Sequence, residues 1–207
     1  MLDVVNSAFD WLKDYSSSPW FYVVLLSIAF LDSFFPVVPS ETMVIIGGVT
    51  AGLHELHWSL VIVFAGIGAF AGDNFSYHIG AFFSERLQRK YNKSNKGRQR
   101  LQWAHKQIET RGGELLITAR FVPGGRTIVT LTCGITGQST RWFMKWSAIA
   151  AAIWATYATM LGFIGGRTFE DNHTKAFVVA FSMAIGATII LEIIRYVRGK
   201  KSTSRHD

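Results

Sequence analysis

An all-α integral membrane protein is the fold class this sequence predicts, built from transmembrane helices and two oppositely oriented re-entrant hairpins that form an inverted repeat. Three observations predict it. Trp146 to Gly166 runs 21 residues without a charge, long enough as a helix to span about 30 Å of hydrocarbon. Two apolar regions break at prolines and carry charge just beyond, at Pro36-Val37-Val38-Pro39-Ser40-Glu41 and at Arg120-Phe121-Val122-Pro123-Gly124-Gly125-Arg126. Of the 21 basic residues, nine gather in one central stretch and five in a tail from Arg195.

Each element follows in order. Residues 1–16 read as an interfacial amphipathic helix, with Val5, Phe9 and Leu12 on one face and Asp3, Asp10 and Asp14 elsewhere. Residues 20–83 are the first half. A deep segment runs from Trp20 to Phe35, with Asp32 near its end. Two prolines within four residues then exclude a regular helix. Ser40 is a candidate helix cap, and Glu41 suits the positive end of the helix that follows. The apolar stretch Met43 to Leu53 is too short to cross, so residues 36–53 are expected to enter and return as a re-entrant hairpin. Residues 56–83 form the next span, with Asp73 inside it.

Residues 84–111 form a basic segment. Between Glu85 and Arg111 nine basic residues face two acidic ones, with two short helices expected on either side of Asn92–Gly97. Residues 113–197 are the second half, with a second re-entrant hairpin at 113–135 and full spans at 142–166 and 176–197. Residues 198–207 are a basic tail. By the positive-inside rule both basic segments are cytoplasmic, so the C-terminus is cytoplasmic. The first hairpin then enters from outside and the second from inside, as an inverted repeat of broken helices would. The whole chain reads as a single, multi-pass domain of the cytoplasmic membrane.

Average composition decides less than this pattern. Over 207 residues the chain is 49% hydrophobic, with mean hydropathy +0.23 and net charge +7, and soluble domains have a similar apolar fraction. A soluble four-helix core is the competing reading, and the weak polar-face periodicity of the apolar runs speaks against it. The single cysteine, Cys133, excludes an intrachain disulfide framework and reads as a buried thiol. The N-terminus has no basic region ahead of an apolar run, so a cleaved signal peptide is not expected.

Four ionisable residues lie at expected membrane depth beside the breaks: Asp32, Glu41, Arg120 and Arg126. Facing lipid, together they would cost roughly 10–14 kcal/mol, against a domain stability of about 5–15 kcal/mol. Their formal charges cancel, so pairing within one cavity is expected. That cavity is either a fixed lock between the hairpins or a site where arginines bind an anion and carboxylates compete for them. Burial raises a carboxylate's pKa and a neighbouring arginine lowers it, which suits Asp32 and Glu41 to proton coupling. Gly124 and Gly125 would let backbone approach the anion, and Ser40 and Asp73 are supporting candidates. For Asp73, after the small residues Gly66, Gly68, Ala69 and Gly72, capping or helix packing is an equal reading. The pairs Gly48/Gly52, Gly68/Gly72 and Gly162/Gly166 point to packing within the chain, and a homo-oligomer is compatible with them.

Other chemistries lack their residues. His54-Glu55-Leu56-His57 does not have the spacing of a helical zinc pair, and no nucleophile elbow or phosphate loop occurs. No metal, cofactor, catalytic set or enzymatic activity is expected. The basic segment reads as a topology signal and an attractor of anionic membrane lipid rather than a nucleic-acid site.

The motif Arg120-Phe121-Val122-Pro123-Gly124-Gly125-Arg126, then Gly134, Trp142-Phe143 and Gly162-Phe163-Ile164-Gly165-Gly166, resembles the DedA (VTT-domain) membrane proteins. Asp32 with Pro36–Glu41 and Gly48 resembles that family's acidic-proline motif. Gly72-Asp73-Asn74-Phe75-Ser76-Tyr77-His78-Ile79-Gly80 resembles its Gly-Asp-x-x-x-Tyr-x-x-Gly element. The resemblance covers about residues 20–195. It implies a lipid transporter or flippase, for undecaprenyl phosphate or a phospholipid, driven by the proton gradient. It also implies that Asp32 and Glu41 are essential acids and Arg120 and Arg126 essential arginines. Thr130 stands where the family often has proline and Cys133 where it often has alanine, which implies a second half-helix that breaks less sharply. The rival expectations are an energy-independent scramblase, an enzyme acting on lipid phosphates, and a non-transporting scaffold.

Overall fold

The computed structural model describes residues 19–34, 40–91, 94–122 and 124–168. Among these every regular element is helical. The interfacial helix expected at 1–16, the proline break at 36–39, Pro123, the span at 176–197 and the tail at 198–207 lie outside the described residues.

Helix α1 is Phe21–Leu31 and is apolar at every position but Ser27. Ser27 returns its hydroxyl to the Val23 carbonyl at 2.8 Å, so its polar group is satisfied within the helix. Helix α2 is Ser40–Gly52. The turn after it is closed by the His57 N–H, which donates to the Tyr22 hydroxyl at 2.9 Å. Helix α3 is Trp58–Phe82 and α4 is Ser84–Tyr91. Helix α5 is Asn95–Thr118, followed by a 3-10 turn at Ala119–Phe121. Helix α6 is Gly125–Ile135 and α7 is Thr140–Thr168.

The helix Asn95–Thr118 carries a kink at Arg111, whose backbone is non-helical (φ −139°, ψ 17°), beside the expected boundary between the basic segment and the second apolar region. The reason is packing. Gly112 and Gly113 lie against the rings of Trp142 and Trp146 on α7, where a Cβ would come within 2.6 Å of ring carbons. The kink lets the helix lie flat on that surface.

Glycine contacts also set the pairing of helices. Helix α2 packs on α7, where Gly48 and Gly162 face each other so closely that a Cβ on Gly162 would overlap the Ile45 carbonyl oxygen. Helix α6 packs on α3 in the same manner, with Gly134 against the Tyr77 carbonyl and Gly80 against Leu131. Helix α1 packs on α3 at Gly68 and Gly72, as α5 packs on α7 at Gly112 and Gly113. Each short helix, α2 or α6, therefore lies on the long helix of the other half of the chain. Close backbone approach of this kind is the main packing attraction available where lipid competes with apolar side chains.

The polar and apolar surfaces are inverted relative to a water-soluble protein. Helices α3 and α7 are long and apolar enough to cross a membrane, and only 39% and 44% of their apolar windows are buried within the chain. Leu60, Val63, Ile67 and Phe75 of α3, with Ile149, Ile153 and Ile164 of α7, face outward. Asp73, Ser76, Thr130, Ser147 and Thr159 are buried instead. A soluble core helix would bury the first set and expose the second.

Two apolar clusters sit at different levels. One includes Leu25, Val44, Val61, Ala69 and Trp154, and the other Tyr77, Ile108, Cys133 and Phe143. Asp73 and Ser76 fall between Ala69 and Tyr77 along α3, and Ser147 falls between Phe143 and Ala151 along α7.

Replacing Gly162 by valine is expected to destabilise the purified protein by about 1–3 kcal/mol or more, as overpacking does. Gly66→Ala meets only Ala155 Cβ at 3.8 Å and is expected to stay within about 0.5 kcal/mol of the wild type. Unfolding midpoints in detergent check both, and equal midpoints for Gly162→Val and wild type would contradict the contact.

Candidate functional site

The polar layer is a compact charged centre built from five elements. Asp32 and Ser33 follow the last turn of α1. Asp73 and Ser76 come from the middle of α3, and Arg120 from the 3-10 turn. Arg126 and Thr127 stand in the first turn of α6, and Ser147 in α7. Gly124 adopts a left-handed backbone (φ 69°) as the residue capping α6. A residue with a Cβ is strained there, which explains a glycine between the two arginines. The reversal sends the 3-10 turn and α6 in different directions while both arginines return to one centre.

Asp73 is the hub. Arg120 Nη2 donates to Asp73 Oδ2, and both side chains are 1% exposed. Ser147 Oγ donates to the same oxygen at 2.8 Å. Arg126 Nε lies 3.4 Å from Asp73 Oδ1. The Arg126 Nη2 group donates to Ser33 Oγ at 2.6 Å and lies 3.4 Å from Asp32 Oδ2. Ser40 Oγ donates to Asp32 Oδ2 at 2.6 Å. Thr127 and Ser76 both donate their hydroxyls to the Ser33 carbonyl, at 2.8 and 3.1 Å. This carbonyl lies past the end of α1, where a helix leaves acceptors without intrahelical partners.

The centre is not fully satisfied. Arg120 Nε and Nη1 and Asp73 Oδ1 are buried without a hydrogen-bond partner among the described residues. The Arg120 guanidinium also lies over the Trp154 ring, 5.9 Å from its centroid. An arginine carries five N–H donors in a planar fork, so Arg120 has donor capacity left among the described residues.

The structure redistributes the pairing expected from sequence. Arg120, Arg126 and Asp32 do come together. The buried partner of Arg120, however, is Asp73, neither Asp32 nor Glu41. The capping reading of Asp73 is overturned, because it lies well inside α3. Glu41 makes no hydrogen bond or ion pair among the described residues; it lies within Coulombic reach of Asp32 and of Tyr157 on α7. Ser40 opens α2 in the described residues, and its hydroxyl serves Asp32. Gly125 opens α6 with its N–H on the Val122 carbonyl at 2.9 Å. Thr130 sits in an unbroken α6, with its hydroxyl returned to the Arg126 carbonyl at 3.0 Å, so the chain does not break a second time there.

Ser33, Thr127 and Ser147 were missed by sequence reasoning. Hydroxyls are common in apolar helices, where they bond back to their own backbone. Ser147 in a run of Ala, Ile and Trp carries no signal that distinguishes it from Ser27. Ser33 beside Asp32 had a positional hint and no more.

Described elements that are all helical, with lipid-compatible outer faces and a buried charged centre, define a helical membrane protein. The VTT domain model matches residues 38–164, which include Glu41, Asp73, Arg120, Arg126 and Ser147. Protein DedA of Escherichia coli (strain K12) is 30% identical over 185 residues, covering 86% of this chain and 84% of that protein. Inner membrane protein YohD of the same organism is 28% identical over 144 residues, covering 67% of this chain and 73% of that protein. An uncharacterized membrane protein of Haemophilus influenzae is 27% identical over 158 residues, with 74% of each covered. No solved structure matches the chain. The chain belongs to the DedA family of VTT-domain membrane proteins.

Removing one member of a buried ion pair leaves an uncompensated charge, which costs about 3–5 kcal/mol. Arg120→Leu is expected to lose stability on that scale. Ser33→Ala, which deletes the acceptor of a charge-assisted bond, is expected to lose about 1.5–3 kcal/mol. Reversible denaturant unfolding in mixed micelles measures both, and a change below about 0.5 kcal/mol for Arg120→Leu would refute the buried pair.

Proposed function

We propose that the protein is a flippase of the cytoplasmic membrane that carries a phosphate-bearing lipid, undecaprenyl phosphate or a phospholipid, and is coupled to the proton gradient. The observation that carries this reading is the convergence of Arg120 and Arg126 on one buried centre, with two nitrogens of Arg120 still unpartnered. Guanidinium forks match phosphate oxygens. The start of α6 beside them adds the positive potential of a helix N-terminus.

Helix lengths support a re-entrant arrangement. Helix α2 has 13 residues and α6 has 11, which reach about 20 Å and 17 Å against roughly 30 Å of hydrocarbon. The exchange of short helices between halves supports an inverted repeat, with α2 on α7 and α6 on α3. Discontinuous helices meeting at mid-depth are how many transporters of this architecture bind substrate. The basic segment 84–111 and the tail 198–207 orient the chain with both in the cytoplasm.

In this mechanism the headgroup enters the polar layer while its tail stays in the bilayer against the outward apolar faces of α3 and α7. Asp32 competes with the phosphate for Arg126 and takes up a proton as the headgroup binds. Glu41, without an ion-pair partner among the described residues and within reach of Asp32, passes the proton on. Return of the proton to the low-proton side restores the carboxylate, which reclaims Arg126 and releases the phosphate. No bond in the lipid is made or broken.

In proteoliposomes with a headgroup-accessibility readout, Arg126→Ala is expected to slow movement of the lipid phosphate by about 10- to 100-fold, the value of a charge-assisted bond. An unchanged rate would overturn the assignment. Collapsing the pH gradient is expected to slow the wild type and to leave Asp32→Asn unaffected. Equal wild-type rates in both directions without a gradient would instead establish an energy-independent scramblase.

A further inference from the structure

A single carboxylate bridges the two arginines. Asp73 Oδ2 accepts from Arg120 Nη2, and Asp73 Oδ1 stands 3.4 Å from Arg126 Nε. This is the position a small tetrahedral anion would take between the same guanidiniums. The fit of the carboxylate is incomplete in a particular way. Among the described residues Arg120 Nε and Nη1 have no hydrogen-bond partner and Asp73 Oδ1 accepts no hydrogen bond, although both side chains are 1% exposed. Native proteins rarely leave buried polar groups unpaired, and an exception calls for an explanation. A carboxylate has two oxygens to offer. A phosphate monoester has three terminal oxygens, so it can span both arginines and still supply acceptors to the unused edge of Arg120.

We propose that Asp73 is a built-in stand-in for the substrate's phosphate, holding Arg120 and Arg126 in register while the site is empty and displaced from them when the phosphate binds. The inference rests on the phosphate-lipid reading above and names a residue that sets how tightly that site binds. Ser147 is the positioning residue. Its hydroxyl donates to Asp73 Oδ2 at 2.8 Å from α7, so the carboxylate keeps one partner when the guanidiniums turn to the anion. Ser147 is itself fully buried and has no other use for its hydroxyl among the bonds described. The other charged or titratable groups around the centre are Asp32 on α1, Glu41 on α2 and Tyr157 on α7. Of the three, only Asp32 is in ion-pair range of an arginine, and none bridges both.

A stand-in makes two opposed contributions. It stabilises the empty protein, and it weakens binding, because the incoming phosphate must first displace a carboxylate. Asp73→Asn separates them. It keeps the shape and removes the charge, leaving Arg120 without its carboxylate partner and Arg126 with Asp32 alone. A purely structural ion pair would give the first effect without the second.

The test uses the full chain in nanodiscs, with inorganic phosphate, a short-chain prenyl monophosphate and the matching prenyl alcohol as probes. Unfolding midpoints and probe affinity are read for the wild type, Asp73→Asn, Asp73→Glu and Ser147→Ala. Asp73→Asn is expected to unfold at lower temperature without anion and to recover with either phosphate probe but not with the alcohol. Its phosphate affinity is expected to rise about tenfold over the wild type, while Ser147→Ala falls below the wild type because the displaced carboxylate loses its remaining partner, and Asp73→Glu stays close to the wild type. Recovery of Asp73→Asn by the alcohol, or an affinity for phosphate no higher than that of the wild type, would overturn the proposal. If Asp73→Asn cannot be purified, an unchanged affinity in Ser147→Ala would overturn it. The flippase reading fails separately. Phosphate-specific recovery of Asp73→Asn with no lipid movement by the wild type would sink transport and leave the stand-in in place.

Discussion

A buried carboxylate shared by two arginines organises this protein. Asp73 comes from α3, Arg120 from a 3-10 turn and Arg126 from the start of α6, and Ser147 of α7 holds the same carboxylate from the far side. Each charge taken out of water alone would cost several kcal/mol. None of these elements can leave the bundle without stranding a charge in an apolar interior. The interaction is therefore a constraint on four segments at once as well as an attraction, and along α3 it falls between residues of two apolar clusters.

The helix packing follows from the same demand. To bring a charge on α3 to charges flanking α6, the two backbones must approach closely, and glycines at positions 80 and 134 permit it. The opposite pair, α2 on α7, uses Gly48 and Gly162 in the same way. In lipid, apolar side chains gain little by facing one another rather than the bilayer, so close backbone contact and buried polar bonds do much of what a hydrophobic core does in water. The outward Leu, Val, Ile and Phe residues of α3 and α7 complete that inversion.

A site so arranged is tight where it is paired and open where it is not. Asp32, Ser33 and Ser40 fasten the end of α1 to the starts of α2 and α6, so the chain segments flanking both breaks share one network. The unpartnered edge of Arg120 is the place where that network has capacity for something more. In the flippase reading, the same bonds that close the empty site are those the headgroup must exchange. Affinity and stability then trade against each other through one side chain.

Much of this was legible in the sequence, and the part that was not has a common cause. The helical membrane class, the charge-free run at 146–166 and the Arg120–Arg126 motif are local features, since hydropathy and proline act on the chain where they stand. The resemblance implied a second short helix that breaks less sharply at Thr130, and α6 runs through that residue without a break. The ion pairing was not legible. Formal charge balance grouped Asp32 and Glu41 with the two arginines, yet Arg120 pairs with Asp73, 47 residues away, and Glu41 stays outside the bonded set. Which carboxylate reaches which arginine depends on how closely helices from opposite halves approach and on how each is turned. The glycines that decide this are silent about their partners until the backbones meet. The sequence by itself determined a membrane bundle with two charged breaks. Only the tertiary structure made Asp73 its centre, because an ion pair in an apolar interior is chosen by distances across the fold, which spacing along the chain does not encode.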